Sequence, residues 1–200
     1  MGEHNHPEVS MHTTPLAAYM NCIYEDDWEG VGKLMADSAT RLAAIGADFA
    51  ICPDNTIHAA YATAIEHSPI PWLHIADCVA EEAVRNGYRK LGVTGTAYLV
   101  TSDVYPDALK KRDIEFCIAD EAKRNEMSRI IFDELVKGQF TPESQKYFDD
   151  VFKEFREQGC DAVVMGCTEI PLLMDGYDTS LPTLDSTRLL ARAAIGYAAD

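Results

Sequence analysis

Short, nearly continuous apolar runs alternate along this chain with longer segments whose apolar residues recur every three or four positions. Runs such as Leu91-Gly92-Val93-Thr94-Gly95 and Ala162-Val163-Val164 have the composition of strands covered on both faces, as in a parallel sheet. Residues 29–45 place Val31, Leu34, Met35, Leu42 and Ile45 at helical spacing, which makes one face of a helix apolar. On this reading strands are predicted near residues 8–13, 47–52, 71–75, 91–95, 114–118, 161–166 and 182–184. Helices are predicted over 29–45, 56–66, 77–87, 104–112, 121–137, 142–158 and 186–198. Thr141-Pro142-Glu143-Ser144 opens the penultimate helix with a capping hydroxyl and a proline in the first turn, where its missing N–H costs nothing. The regular alternation of strand and helix predicts an α/β fold with parallel sheets.

Two predicted strand ends carry unusual polar chemistry. The first is Met165-Gly166-Cys167-Thr168-Glu169-Ile170-Pro171, where an apolar strand ends in glycine and hands a cysteine to the loop beyond. α/β folds bind ligands at the carboxyl ends of their strands, and a helix N-terminus there favours thiolate. Thr168 adds a hydroxyl, and Glu169 can cap a helix or face a substrate. The plain alternative for Cys167 is a small buried residue. The second strand end is Ile51-Cys52-Pro53-Asp54-Asn55-Thr56-Ile57-His58, preceded by Ala47-Asp48-Phe49-Ala50. The two segments open alike, with Gly46-Ala47-Asp48-Phe49 answering Gly159-Cys160-Asp161-Ala162. Such a near-repeat points to two related α/β halves facing each other across a cleft.

These segments together resemble the aspartate/glutamate racemase superfamily, in its aspartate racemase branch. Pro53-Asp54-Asn55-Thr56-Ile57-His58 resembles the family's first catalytic motif and Gly166-Cys167-Thr168-Glu169-Ile170 its second. The likeness extends to Leu91-Gly92-Val93-Thr94-Gly95-Thr96, to residues 131–138 and to Asp185-Ser186-Thr187-Arg188. It implies two similar parallel-sheet domains with helices on both faces and the active site in the cleft between them. The first domain would span residues 1–76 and receive the last helix, 186–200; the second would span 77–185. The resemblance also implies no cofactor, an amino acid as substrate, and two acid–base groups on opposite faces of Cα.

The pattern departs from the family in two places. Where the family has cysteine before Asn-Thr, this chain has Asp54, and Cys52 falls on a strand position. Asp54 is therefore the candidate partner of Cys167, since a carboxylate whose pKa is raised by burial can transfer protons. An N-cap on the following helix is an equally good reading of the same residue. In addition, residues 8–13 resemble the family's second strand, so the opening strand and glycine loop that help hold the substrate carboxylate lack a counterpart here. A parallel sheet without that strand would carry an open edge, and an upstream extension is expected to raise stability and activity together. Asn55, Thr56, Thr96, Lys137, Thr168 and Glu169 are the candidate substrate-binding residues by this resemblance. For Thr96 the competing role is a helix cap, and for Lys137 the last turn before Gly138, where a cation suits the helix dipole. His58 reads as a packed or capping side chain, His74 as facing the domain interface, and Trp28 and Trp72 as packing.

Composition narrows the partners. A net charge of -16 over 200 residues disfavours nucleic acid and anionic membrane surfaces. No apolar run is long enough for a transmembrane helix, and residues 1–7 have neither a signal peptide's basic-then-apolar order nor a myristoylation pattern. Six cysteines without a CxxC pair fit reduced thiols in a cytoplasm. His4, His6 and His12 lack cysteine or acid ligands at fixed spacing, so a solvated terminus is expected and no metal site. The expected protein is a cofactor-independent racemase or epimerase of aspartate, glutamate or a broader set of amino acids, assembled as a homodimer. Two rival readings are a one-cysteine decarboxylase of the arylmalonate type and a catalytically impaired ligand-binding member.

Overall fold

The computed structural model describes His4 and residues 6–199. Its described strands fall into two parallel sheets. One pairs β1 (Ala50–Ile51) with β2 (Trp72–Leu73). The other contains β3 (Lys90–Gly95), β4 (Glu115–Ile118), β5 (Ala162–Gly166) and β6 (Thr183–Asp185) in the order β4-β3-β5-β6. Parallel neighbours need crossovers, and helices supply them. They are α1 (Leu16–Tyr24), α2 (Trp28–Ala44), α3 (Tyr61–His67), α4 (Ile75–Arg85), α5 (Ala97–Val100), α6 (Val104–Lys110), α7 (Glu121–Asp133), α8 (Pro142–Glu157), α9 (Ile170–Leu173) and α10 (Ser186–Tyr197). The α/β architecture expected from the strand–helix alternation is the one observed.

Local chemistry starts these helices. Asp27, Asp120, Thr141 and Asp185 each accept a backbone N–H three residues on, from Gly30, Lys123, Ser144 and Arg188. Each bond satisfies one orphan donor of a first turn and stabilises its helix by about 1 kcal/mol. The larger sheet buries both faces. Leu91, Val93, Ala162, Val164 and Leu184 pack with α4 and α6 on one side, while Val163 and Met165 pack with α7 and α8 on the other. That alternation is the period of two expected of a strand. Phe148, Phe152 and Phe155 of α8 are under 2% exposed, and burying each contributes roughly 1.5–3 kcal/mol. Gly92 leaves room for the Phe155 ring, since a Cβ there would lie 2.3 Å from its Cδ2.

The first half is smaller. Val31, Met35, Ile57, Ala60 and Ala64 form its core, with α2 packed against α3 and against the 3-10 turn Thr56–Ala60 that leads into α3. α10 lies along α4 and also touches β2, β5 and β6, and its Tyr197 ring meets Phe49 edge-on at 4.8 Å.

The elements correct the sequence reading in several places. Residues 8–13 are not a strand, and Val9 and Met11 are more than four-fifths exposed. Among the described residues β1 pairs with β2 alone, so this segment has no described ladder to hold it extended, and alternation of apolar residues cannot substitute for a pairing partner. The sequence reading passed over α1, because its apolar residues follow Pro15 in a short, weakly patterned stretch. The predicted helix 121–137 stops at Asp133, continues as a 3-10 turn over Leu135–Lys137 and ends at Gly138 in the left-handed region at φ 73°. The strands of the first half are two residues long, against six and five for β3 and β5.

Candidate active site

β3 and β5 run side by side and end together, with Gly95 opposite Gly166. Neither position can carry a side chain. A Cβ on Gly166 would sit 2.4 Å from the Thr94 carbonyl oxygen, and one on Gly95 2.9 Å from that of Gly166. The close approach brings Thr96 and Cys167, the next residue on each strand, to one cavity at the carboxyl edge of the sheet, where α/β folds place ligands. The loop after β1 contributes Asp54, Asn55 and Thr56 from the facing half. α1 adds Leu16, Tyr19 and Met20 to the lining, while α7 and the turn after it add Ile131, Phe132 and Val136. The cavity measures about 150 Å³, below the roughly 300–1,000 Å³ typical of drug-sized ligands.

Seven of the eight residues singled out from the sequence line this cavity: Asp54, Asn55, Thr56, Thr96, Cys167, Thr168 and Glu169. Lys137 does not. It sits on an exposed turn with Nζ 3.8 Å from an Asp133 carboxylate oxygen, the C-terminal position that its helix-end context already explained.

Cys167 donates its S–H to Glu169 Oε2 at 3.0 Å, and the same oxygen accepts the Thr168 hydroxyl at 2.7 Å. Burial, followed by the Glu169 charge and this hydrogen bond, holds the Cys167 pKa well above its ordinary value. Burial and the adjacent carboxylate thus work against the thiolate that a helix N-terminus favours. The helix that follows, α9, has four residues, too few to offset the lost hydration and the adjacent carboxylate.

Asp54 faces the cavity from the other half. Its Oδ1 accepts the Ile57 N–H at 3.3 Å, a capping bond, and its carbonyl oxygen accepts the His58 Nδ1–H at 2.7 Å. Burial raises its pKa above the usual carboxylate value and the Glu169 charge adds to the rise, while the Ile57 and Thr56 backbone donors oppose it. The two readings of Asp54 thus coexist in one side chain. Cys52, placed just past β1, has its thiol pushed up to about 12 by burial and packs with the core of the first half.

His58 is buried and fixed at both ring nitrogens, with Nε2 accepting the Ile75 N–H at 3.3 Å. Only the neutral Nδ1–H tautomer satisfies both bonds. Desolvation, followed by the neighbouring His74, lowers its pKa to about 3. It stabilises the Asp54 loop and does not reach the cavity lining.

A second network joins the halves behind the site. Tyr105 donates its hydroxyl to Asn55 Oδ1 at 2.7 Å, Asn55 Nδ2 donates to Ser186 Oγ at 2.9 Å, and Ser186 donates to the Met165 carbonyl at 2.8 Å. Asn55 is accordingly oriented by residues from β5, α6 and α10. In front, the Thr56 and Thr96 hydroxyls meet at 2.9 Å, and Thr96 Oγ1 also caps α5 by accepting the Leu99 N–H at 3.2 Å. Sequence reasoning missed Tyr105, Tyr19 and Met20, because none belongs to a polar motif and all approach the site from distant elements. Among the described residues, no group of three or more His, Cys, Asp or Glu side chains is placed to hold a metal. Among the described residues, no helix is long and apolar enough to cross a membrane.

Chemically, the cavity offers the Cys167 thiol and the Asp54 carboxyl group, threonine hydroxyls, and a second carboxylate beside the thiol. The profile of the Asp/Glu/Hydantoin racemase family matches residues 1–194. Broad specificity amino-acid racemase RacX of Bacillus subtilis is 23% identical over 191 residues, covering 96% of this chain and 82% of the relative. A protein from Yersinia pestis provisionally identified as an Asp/Glu racemase superposes at a TM-score of 0.89 with 29% identity, over 100% of this chain and 87% of that one. An aspartate racemase homologue from Pyrococcus horikoshii superposes at 0.84 with 27% identity, over 100% of this chain and 87% of its own. Against a glutamate racemase from Limosilactobacillus reuteri, 26% identical, the match spans 50% of the relative.

Proposed function

We propose, for a chain that belongs to the Asp/Glu/hydantoin racemase family, that the cavity between its halves interconverts the enantiomers of an amino acid by proton removal and return at Cα. The observation that carries this reading is that Asp54 and Cys167, from the two motifs, line one cavity from opposite halves. In one direction the Asp54 carboxylate takes the proton from Cα, and the electron pair of that bond spreads into the substrate carboxylate. The Cys167 thiol then gives its proton to the opposite face of Cα. In the other direction Cys167 is the base and protonated Asp54 the donor. Glu169 Oε2, which already accepts the S–H bond, offers a resting place for the thiol proton. Burial holds both groups toward their protonated forms, which brings the carboxylate nearer the working range of a general acid–base pair. Of the Thr56–Thr96 pair, the hydroxyl that accepts keeps its own proton free and is suited to donate to the substrate carboxylate as it gains charge, and a donor preorganised there supports catalysis.

The six cysteines, all free, suit a reducing cytoplasm, and a homodimer is the assembly we propose, to be checked by light scattering on the eluted protein. The catalytic reading is tested in deuterium oxide, where racemisation incorporates deuterium at Cα. Cys167→Ala is expected to lower racemisation on the order of a hundredfold or more with an unchanged circular dichroism spectrum. Asp54→Asn keeps the capping geometry and loses the ionisable group, so racemisation should collapse in both directions while stability changes little. Wild-type rates in a folded Cys167→Ala protein would refute the assignment of Cys167, and a silent Asp54→Asn would leave Asp54 as a cap alone. Release of carbon dioxide from a malonate without deuterium exchange at Cα of any amino acid would refute racemisation itself.

A further inference from the structure

We infer, resting on the racemase reading, that the substrate's side chain is uncharged and apolar, because no described lysine, arginine or histidine lines the cavity and most of its remaining lining is apolar. The charged side chains that reach the cavity are Asp54 and Glu169, both acidic and both on the side of the reacting groups. A free amino acid brings one ammonium and one α-carboxylate. The acidic pair suits the ammonium, and the hydroxyl proton that the Thr56–Thr96 pair leaves free suits the α-carboxylate, so the site has no positive charge to spare for a further anion. A second carboxylate, as on aspartate or glutamate, would enter a confined space with no cation to pair it and two acids nearby. Burying an unpaired charge carries a large desolvation cost, and the like charges add to it.

The apolar part of the lining is built from Leu16, Tyr19 and Met20 of α1 together with Ile131, Phe132 and Val136 of α7 and its following turn. These side chains supply dispersion contacts and exclude water but offer a carboxylate no strong donor, apart from the Tyr19 hydroxyl. Burial raises the pKa of that hydroxyl, so it stays neutral. Lys137, one residue beyond Val136, is the nearest cation along the chain, and it is turned to Asp133 on the exposed face. Selectivity is thereby assigned to α1 and the end of α7, elements separate from the two catalytic loops.

The test is a kcat/KM series on the full chain by deuterium incorporation, with L-methionine, L-leucine, L-aspartate, L-glutamate and L-lysine. Methionine or leucine is expected to exceed aspartate and glutamate on the order of a hundredfold, given what an unpaired buried charge costs. Leu16→Arg and Val136→Arg, both at positions nearly half exposed in the wild type, place a cation at the rim. Either should raise the ratio of glutamate to methionine turnover by about tenfold or more. If aspartate, glutamate or lysine matches or surpasses methionine in the wild-type protein, the inference is wrong while the racemase reading stands. If no amino acid exchanges its α-proton, the racemase reading fails and the inference falls with it.

Discussion

The neutral, buried His58 makes a quantitative demand on acid stability. Its ring is 2% exposed, donates to the Asp54 carbonyl and accepts from the Ile75 N–H, and its pKa lies near 3 against an ordinary 6.5. A base whose folded pKa is depressed contributes full stability above its unfolded pKa and loses it as pH falls. Below pH 6.5 the unfolded chain binds a proton on this ring that the folded chain refuses. The slope approaches about 1.4 kcal/mol per pH unit, so between pH 7 and pH 5 the folded state should lose about 2 kcal/mol through this one group. The figure holds for any folded pKa well below 5. His58→Gln removes the titration and retains an amide that can both donate and accept. Other groups also titrate: His74 is likewise lowered by burial and acts in the same sense, whereas Asp54 is raised and acts in the opposite one. Comparing the two proteins cancels these to first order. Urea unfolding followed by tryptophan fluorescence at pH 7 and pH 5 is the assay, with equal m values as the condition for comparison. Wild type should lose about 2 kcal/mol more than His58→Gln over this interval. Equal losses would refute the buried neutral imidazole.

Two further perturbations probe how the site is held. Gly166→Ala forces a methyl group against the Thr94 carbonyl, so we expect a loss of about 1–3 kcal/mol in urea unfolding and a lowered turnover from a displaced Cys167; unchanged stability and rate would refute the close-approach argument. Tyr105→Phe leaves Asn55 Oδ1 without its buried donor, for an expected cost of about 1–3 kcal/mol by thermal or urea denaturation, and a cost under a few tenths would show the network to be slack.

Much of this protein is legible along the chain because its signals are local. The six-residue β3 and five-residue β5 show as apolar runs, and the capped start of α8 shows as Thr141 before Pro142, three residues before the Ser144 N–H it accepts. The motifs around Asp54 and Cys167 are contiguous polar clusters at strand ends, so their residue types and position suggest a site before any contact is known. What the chain alone could not decide depends on contacts made across long separations. Whether residues 8–13 pair depends on a neighbouring ladder that the segment itself does not specify. The raised pKa of Cys167 follows from burial and from the aim of Glu169, and composition reports neither. Tyr105 is fifty residues from Asn55, and Ser186 is 131 from it, so their bond network exists only once α6 and α10 have packed. α1 carries a weak pattern because its partners are a cavity and one helix, yet its position sets part of the apolar lining of the site. Local propensity and patterning thus determined most of the elements and the candidate site residues, while packing between distant segments decided their hydrogen-bond partners, their orientation and the lining a substrate would meet.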